Sequence, residues 1–462
     1  MDRHQYFGQA DTCPAIYRAM KEEPTLRVGI LQGYSEVAGR LNGPFLINDA
    51  RSLSGRFSAH VREGRILLAD AGGRDIIHDK EIRCTPLDNS TFTLLDVTIG
   101  VHFHWERKQE QTFRGELRLI LDENGTLTAV NRIPLEDYLS SVISSEMSAE
   151  AALEFLKAHA IASRSWLMSM LGSVGKARHA ENGSPGPALQ TKEFIRYYHR
   201  VDHTLFDVCA DDHCQRYQGI TRLISENARQ AVERTRGLFL VYNNEICDAR
   251  YHKACGGLTD SFANTWENVT VPYLTSVSDS AIPYDPIRTE DEAGQWILGD
   301  PEAYCNTKDS NTLRRILPSF DQETTDFFRW KVTYTRIELE EIIRGKSGMD
   351  FGNLLRLTPI ERGPSGRIVR LQITGSKRTL TIGKELEIRR WLSRSHLYSS
   401  AFVVCVENDA SGLPVSFVLQ GAGWGHGVGL CQIGAAIMAL KGFTAESILK
   451  HYFRGAELQK LY

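Results

Sequence analysis

Glu146 lies between two segments whose apolar residues recur at helical intervals. The first segment starts at Pro134, and proline is favoured just inside a helix start. The second is predicted to begin near Ser148, a suitable N-cap, and to run to about Leu171. A partly buried carboxyl group between two helices can donate a proton to a leaving group and then take one back. The alternative is that Glu146 only caps a helix.

A second constellation has the residue types of a metal site. His203, Cys209, His213 and Cys214 together offer two thiolates and two imidazoles, which make a complete tetrahedral shell for zinc. His199 competes with His203 for the fourth position. Four protein ligands leave no open position for water, so a zinc hydrolase is disfavoured and a structural zinc is predicted. The alternative is a pair of ordinary reduced cysteines.

A glycine-rich run, residues 421–435, alternates five glycines with other residues. Glycine permits backbone conformations and close approaches that other residues do not. The run is not a phosphate-binding loop, because its spacing differs and no lysine followed by serine or threonine comes after it. His426 and Gln432 are candidates to hydrogen-bond a ligand or to position Glu146. The alternative is tight packing in which His426 only holds a turn.

Tyr251, His252 and Lys253 begin a third segment of polar and aromatic residues, and Trp266 follows it. Aromatic rings beside polar groups suit the face of a ring-shaped ligand, although burial in a core is the commoner explanation for them. The segment therefore adds three candidate binding residues.

These segments together resemble the sporulation stage II protein D (SpoIID)/LytB family. In the helical part the resemblance rests on Leu135, Glu136, Tyr138, Leu139, Ser145, Glu146, Met147, Leu156, Lys157, Ala158, Ala160, Ala162, Arg164 and Ser165. The segment from Tyr251, the run at 421–435 and the tail at 448–455 are also similar to family segments. The resemblance covers residues 130–275 and 400–462 and is weak between them.

The chain departs from the family pattern at several positions. His159 stands where the family usually has glutamine, and Cys431 stands where it usually has serine. Lys253 and Cys255 replace small hydroxyl residues. Because the segments that carry Cys255 and Cys431 should flank one groove, we expect these two thiols to lie close together.

The resemblance implies a lytic transglycosylase acting on peptidoglycan. Such an enzyme cuts the MurNAc–GlcNAc bond of glycan strands, preferably strands without stem peptides, and leaves 1,6-anhydro ends. Glu146 would be the single general acid and base. Arg164 would support Glu146 or hold substrate oxygens in the groove, unless it only forms a surface ion pair. The residues implied to bind substrate are Tyr251, His252, Lys253, His426 and Gln432.

Two other readings stay open. Ordinary glycosidases use two carboxylates at a defined separation, and Glu136, Asp137 and Glu150 are near enough in sequence to form such a pair with Glu146. The family also suggests a non-catalytic protein that binds the cell wall and stimulates an amidase partner. Some family members carry zinc in this part of the fold, which favours the zinc site.

The elements that must position these residues predict an α+β fold. A β-rich N-terminal region should precede a mixed helix and sheet core that an inserted second lobe interrupts. The predicted limits are 1–25 for an N-terminal extension, 26–130 for the β-rich region, 131–278 for the first part of the core, 279–400 for the inserted lobe and 401–462 for the glycine-rich part that completes the core.

Composition excludes some classes of function. The 462 residues carry a net charge of -3, which argues against a broad basic surface for nucleic acid. No apolar run approaches the roughly 20 residues of a transmembrane helix. The start of the sequence shows no signal peptide, although the family works in the cell envelope, outside the cytoplasmic membrane. Nine cysteines are an odd number and cannot all pair with one another.

Overall fold

The computed structural model describes residues 20, 22–100, 106–172, 192–197, 203–211, 213–221 and 225–462. The predicted N-terminal extension therefore lies mostly outside the described residues, and His199 lies wholly outside them. The predicted α+β class with a β-rich N-terminal region is confirmed. The first ten strands are β1 (Thr25–Tyr34), β2 (Glu36–Ile47), β3 (Arg51–Arg62), β4 (Arg65–Asp70), β5 (Asp75–Asp79), β6 (Glu81–Pro86), β7 (Thr91–Ile99), β8 (Arg107–Phe113), β9 (Glu116–Leu121) and β10 (Leu127–Pro134).

These strands form one sheet together with β12 (Val208–Cys209). The order is β12-β1-β10-β9-β6-β2-β3-β4-β5, and β7 bonds to β2 and β8. All pairs are antiparallel except β1 with β12. The long strand β2 is shared, because Gly39–Asn42 pairs with β7 and Phe45–Ile47 pairs with β6. Strand β2 therefore joins the pair β7–β8 to the rest of the sheet.

Side-chain alternation gives this sheet its buried face, as in β7. Phe92, Leu94, Val97 and Ile99 are buried, and the residues between them are not. The three-residue step from Leu94 to Val97 would break a strict alternation. A register shift there, at which Asp96 has a φ of 53°, absorbs the extra residue and returns Val97 to the interior.

Helix α1 (Leu135–Glu146) follows β10 directly, and Pro134 stands at its N-cap. Helix α2 (Leu153–Gly172) is apolar around most of its circumference, as expected for a helix in a core. It packs against α1, α3 (Glu226–Arg234), β13 (Leu238–Tyr242), α9 (Gln432–Leu440) and α10 (Ala445–Tyr452). The helix at the centre of the molecule is therefore the one that carries Arg164.

The predicted start of α2 at Ser148 is wrong by five residues. Residues 148–152 form a turn in which the Ser148 hydroxyl accepts from the Glu150 N–H and the Ser148 carbonyl accepts from the Ala151 N–H. A serine that closes a turn on itself in this way competes with helix formation, so the helix begins only at Leu153.

Short strands close the core around α2. Strand β13 lies between β14 (Glu245–Ile246) and the C-terminal strand β23 (Glu457–Lys460). Strand β15 (Tyr251–His252) pairs in parallel with β22 (Leu430–Cys431), which places the predicted binding segment beside the glycine-rich run. The paired residues Tyr251 and Leu430 are far apart in sequence, and this pairing brings the two segments together.

The remaining elements lie between β15 and β22, apart from β11 (Glu193–Ile195). They are α4 (Phe262–Thr265), α5 (Glu290–Leu298), α6 (Ser310–Ile316), a 3-10 turn (Ser319–Asp321), β16 (Arg329–Thr335), α7 (Arg336–Ser347), β17 (Leu354–Arg362), β18 (Ile368–Gly375), β19 (Thr379–Gly383), α8 (Glu385–Trp391), β20 (Phe402–Asn408) and β21 (Pro414–Ala422).

Two large apolar cores result. The first joins the N-terminal sheet, α1, α2 and residues 428–456. The second contains Phe194 and buried residues between Trp330 and Leu419. Residues such as Cys305 and Phe327 belong to the first core. The domain limits given above stay a prediction. None of the described helices is long and apolar enough to cross a membrane.

Candidate active site

Glu146 is the last residue of α1 and is half-buried. Its Oε1 accepts a hydrogen bond of 3.0 Å from the backbone N–H of Arg216. One carboxylate oxygen is thus held by the protein backbone.

Lys253 joins Glu146 to two other segments. Its Nζ donates to the Glu146 backbone carbonyl at 2.9 Å and lies 3.6 Å from Met147 Sδ. The same Nζ is 2.8 Å from Asp321 Oδ2, and both side chains are largely buried. A cation at the C-terminal end of a helix is favourable because carbonyl groups there have no helical partner. Lys253 therefore fixes the end of α1, and its ammonium is occupied by groups of the protein.

His252 is buried in the parallel pair formed by β15 and β22. Its Nδ1 is 3.1 Å from the Val428 carbonyl, which assigns the proton to Nδ1. Its Nε2 is buried and has no hydrogen-bond partner among the described residues. The close approach at this point requires glycine, since a Cβ on Gly429 would lie 2.1 Å from the Arg250 carbonyl.

His426 packs edge-on against Trp266, with ring centroids 4.8 Å apart. The centroid of the His426 ring lies 5.5 Å from that of His252. Its Nδ1 accepts from the Val428 N–H at 3.1 Å. Burial, followed by the charge of Arg367, lowers the pKa of His252 to about 3. Burial also lowers the pKa of His426 well below its usual value. Both imidazoles are therefore neutral at pH 7 and can serve as hydrogen-bonding groups.

Gln432 and Tyr251 belong to the core more than to a groove. Gln432 is 2% exposed, and its side-chain amide lies 3.2 Å from His159 Nε2. The ring of His159 meets the ring of Tyr251 edge-on at 4.8 Å. The structure thus places Gln432 against His159, one of the residues that depart from the family pattern. Its amide is enclosed with His159, and the binding of a ligand by Gln432 stays a prediction.

Arg164 lies in a different environment from the one expected. Its side chain is 0% exposed and forms a bidentate ion pair with Glu136, with Nε–Oε1 at 3.1 Å and Nη2–Oε2 at 2.6 Å. Its Nη1 donates to the Leu238 carbonyl at 3.0 Å. Glu136 also accepts from the Tyr462 hydroxyl. Arg164 therefore ties α2 to the start of α1 and to β13. It does not support Glu146 directly, nor is it a surface ion pair.

The position of Glu136, the ion-pair partner of Arg164, bears on which carboxylate could act with Glu146 in a hydrolytic pair. Glu136 and Asp137 lie in the first turn of α1, which places them about 14 Å from Glu146 along the helix axis. Glycosidase pairs are separated by about 5–10 Å. Glu150 is exposed on the turn after α1. The carboxylate that sequence reasoning missed is Asp321, which comes from the predicted inserted lobe and contacts Glu146 through Lys253.

The predicted metal ligands do come together. The ligand atoms of His203, Cys209, His213 and Cys214 all lie within 4.8 Å of one another. His203 Nε2 is 3.4 Å from Cys214 Sγ, and His213 Nδ1 is 3.5 Å from the same sulfur. The pKa of the Cys209 thiol is lowered far below its usual range. The largest cause is its interaction with Cys214, and the interactions with His203 and His213 lower it further. The group could hold a metal ion.

Residues 215–217, which follow this cluster in sequence, contact α1 and Glu146. Gln215 accepts from the Tyr138 hydroxyl at 3.2 Å and donates to the Ser163 carbonyl at 3.2 Å. Tyr217 stacks on Tyr138 with ring centroids 5.0 Å apart. Arg216, between them, holds Glu146. The cluster of His203, Cys209, His213 and Cys214 is therefore followed directly in sequence by the segment that fixes the carboxylate.

Comparisons with known proteins show which families and relatives the chain resembles. Residues 123–242 match the family model described as stage II sporulation protein, and residues 260–429 match a domain of unknown function, DUF8618. The chain therefore contains a SpoIID-family domain, and the resemblance seen in its sequence is confirmed. The SpoIID match includes α1, α2 and the metal-ligand cluster, whereas the second match includes Asp321 and most of the glycine-rich run.

Named relatives cover most of the chain. The stage II sporulation protein D of Bacillus amyloliquefaciens is 25% identical over 333 residues, which is 72% of this chain and 76% of that protein. The protein of the same name from Bacillus subtilis (strain 168) is 26% identical over 332 residues, with the same shares. An amidase enhancer of B. subtilis is 25% identical over 332 residues, 69% of this chain but only 40% of that protein.

Proposed function

We propose that this chain cleaves peptidoglycan glycan strands as a lytic transglycosylase, with Glu146 as its single general acid and base. The observation that carries the proposal is the position of Glu146. Its half-buried carboxyl group is fixed by the Arg216 N–H, and its backbone is fixed by Lys253. These contacts orient one carboxyl group beside the segment that begins at Tyr251, which the family resemblance assigns to substrate.

The reaction needs only one such group. Protonated Glu146 gives its proton to the glycosidic oxygen as the bond from this oxygen to the muramoyl C1 breaks. The Glu146 carboxylate that results accepts the proton of the muramoyl C6 hydroxyl. At the same time the C6 oxygen forms a bond to the muramoyl C1. The products are a strand with a free 4-hydroxyl on GlcNAc and a strand with a 1,6-anhydro end. Glu146 is protonated again, and no water is consumed.

The other carboxylates support this choice over hydrolysis. Glu136 is held by Arg164 at the far end of α1, and Asp137 lies beside it. Asp321 is close, but its charge is paired with Lys253. A hydrolase would need one of these to activate water or to attack the sugar. The pairing instead suits Asp321 to positioning Lys253, and through it the end of α1.

Neutral imidazoles suit a sugar ligand. His252 keeps a buried acceptor, Nε2, without a partner among the described residues, and His426 stands between His252 and Trp266. Uncharged acceptors and aromatic rings are the groups that bind hydroxyls and sugar faces. We assign His252 and His426 to substrate binding, and Lys253 to positioning.

We further propose that zinc fills the cluster of His203, Cys209, His213 and Cys214. The donor set and the separations between sulfur and nitrogen atoms fit a tetrahedral site with Zn–S of about 2.3 Å and Zn–N of about 2.0 Å. Four protein ligands would close the shell, so the ion would contribute to folding and not to the chemical step. Its effect on Glu146 would pass through the segment that ends at Arg216.

A second function has one observation in its favour. The similarity to an amidase enhancer is compatible with a protein that binds the wall and stimulates an amidase partner. In either case the substrate places the work in the cell envelope, outside the cytoplasmic membrane. Glycan strands are the proposed partner in both, and no role with nucleic acid is proposed.

Product analysis separates these functions. Purified protein would be incubated with sacculi and with glycan strands stripped of stem peptides by an amidase, and the products measured by mass spectrometry. We expect 1,6-anhydro ends, released faster from stripped strands. New reducing ends would show a hydrolase. Binding without cleavage, together with a faster added amidase, would establish the accessory function.

A further inference from the structure

A second group of metal-ligating side chains lies in the core, away from the predicted zinc cluster. We propose that Cys255, Asp279, Cys305 and Cys431 form a second, structural zinc site. The four ligand atoms lie within 4.8 Å of one another, and all four residues are buried. The inference does not rest on the proposed function, because it concerns only what holds the fold together.

The separations match a thiolate-rich shell. Cys255 Sγ and Cys305 Sγ are 3.6 Å apart, and two sulfurs bound to one tetrahedral zinc lie about 3.8 Å apart when Zn–S is about 2.3 Å. A disulfide would bring these sulfurs to about 2.05 Å. Three thiolates and a carboxylate favour zinc over harder cations such as magnesium or calcium.

Backbone N–H groups already point at the sulfurs. The Gly257 N–H donates to Cys255 Sγ at 3.3 Å, and the Cys255 N–H donates to Cys431 Sγ at 3.3 Å. Cys431 is also the N-cap of α9, where its sulfur accepts from the Gly434 N–H at 3.4 Å. Hydrogen bonds to metal-bound groups, and the positive end of a helix, stabilise thiolates. These N–H groups would hold the thiolates in place around a bound ion.

Asp279 is held in the same way. Its Oδ2 accepts from the Cys305 N–H at 2.9 Å, and its Oδ1 accepts from the Tyr452 hydroxyl at 2.5 Å. A Cβ on Gly434 would lie 2.3 Å from Oδ1, so only glycine leaves room for the carboxylate. A carboxylate has about four lone-pair positions, and two of them remain for a metal.

The charge of the loaded site also has nearby compensation. Three thiolates and one carboxylate around a divalent ion leave about two negative charges. Arg367 donates to the Cys255 carbonyl at 3.1 Å, and Arg329 donates to the neighbouring Gly256 carbonyl at 3.0 Å. Two guanidinium groups beside an anionic centre would balance it.

The site would fix the proposed substrate-binding segment. Cys255 follows Lys253 in the segment that begins at Tyr251, and Cys431 ends the strand that pairs with it. Asp279 and Cys305 come from two loops of the DUF8618 match. One ion would therefore join four separate segments of the chain. It also explains why thiols stand at two positions where the family resemblance leads one to expect hydroxyls.

Metal content tests the site. Protein made in zinc-supplemented medium and desalted should hold about two zinc ions per chain, one for each closed four-ligand shell. The Cys209→Ser/Cys214→Ser variant removes the first cluster and should hold about one. The Cys255→Ser/Cys305→Ser variant should also hold about one. Cys84→Ser, which changes a buried cysteine outside both clusters, should retain both ions.

A second measurement keeps the test decisive if the core variant does not fold. The Cys209→Ser/Cys214→Ser protein, loaded with cobalt, should show thiolate-to-cobalt charge-transfer bands and the visible bands of tetrahedral cobalt. X-ray absorption on its zinc form should show about three sulfur neighbours and one oxygen neighbour. A metal-free Cys209→Ser/Cys214→Ser protein would overturn the proposal. So would a disulfide between Cys255 and Cys305, detected as two thiols lost to alkylation in the denatured chain.

Discussion

Removing the Arg164 side chain should damage stability much more than catalysis. In an Arg164→Ala protein, Glu136 would remain 6% exposed in the core, without its bidentate partner. Breaking a buried ion pair by removing one partner costs about 3–5 kcal/mol. We expect a value in this range, because the Leu238 carbonyl also loses its donor while the Tyr462 hydroxyl continues to donate to Glu136.

The measurement is the free energy of unfolding from denaturant titration, followed by tryptophan fluorescence. Arg229→Ala provides the matched control, because the Arg229–Glu226 pair is exposed and such pairs contribute about 0.2–1 kcal/mol. An Arg164→Met/Glu136→Gln double variant should recover much of the loss, since it removes both buried charges together. Cleavage rates would be measured below the unfolding transition and divided by the folded fraction.

The outcome separates a structural role from a catalytic one. We expect the Arg164→Ala protein to cleave at close to the wild-type rate per folded molecule. An Arg164→Ala protein as stable as Arg229→Ala, but with a much lower rate, would refute this reasoning. It would mean that Arg164 leaves Glu136 when substrate is bound and acts in the groove, as the family resemblance first indicated.

Three further predictions follow from other contacts. Asp321→Asn should lower stability by about 1–3 kcal/mol, because the largely buried Lys253 loses its charged partner. The variant should still cleave glycan at nearly the wild-type rate. A cleavage rate about 10²–10⁴-fold lower would instead make Asp321 a second catalytic carboxylate. Burial and Lys253 lower the pKa of His159 to about 3. The unfolded chain therefore binds one more proton than the folded chain below about pH 6.5. Stability should fall as the pH drops, by about 1.4 kcal/mol per pH unit. His159→Gln should therefore flatten the acid side of the stability profile, and an unchanged slope between about pH 6 and pH 4 would show that His159 is protonated in the folded chain. Chelation should lower the unfolding temperature of wild type more than that of Cys209→Ser, and equal shifts would contradict a structural metal at that cluster.

Sequence patterns predicted the elements of the core well because those elements depend on local periodicity. Apolar spacing after Pro134 indicated a helix, and α1 begins at Leu135. The alternating strands before it form the N-terminal sheet. The pairing of the segments that carry Cys255 and Cys431 is also confirmed, because the Cys255 N–H donates to Cys431 Sγ. These features rest on residue types that suit one local structure.

Contacts between distant segments were harder to predict. The position of Arg164 in the sequence could not show whether it faces Glu136 or Glu146, because this depends on how α2 crosses α1. Asp321 belongs to a segment without a recognisable pattern, so nothing in the sequence pointed to its contact with Lys253. The Asp279 and Cys305 ligands are separated from Cys431 by the second core, and only the fold brings them together.

The most direct test of the central claim is the cleavage rate of Glu146→Gln on stripped glycan strands. Glutamine keeps the volume of the side chain and an oxygen that can accept from the Arg216 N–H, so the variant should fold and still bind glycan. Glu150→Gln changes an exposed glutamate four positions further along and provides the matched control. We expect anhydro-end release to fall by about 10²–10⁴-fold in Glu146→Gln and to be unchanged in Glu150→Gln. Release at the wild-type rate by Glu146→Gln would contradict the account and move catalysis to another carboxylate.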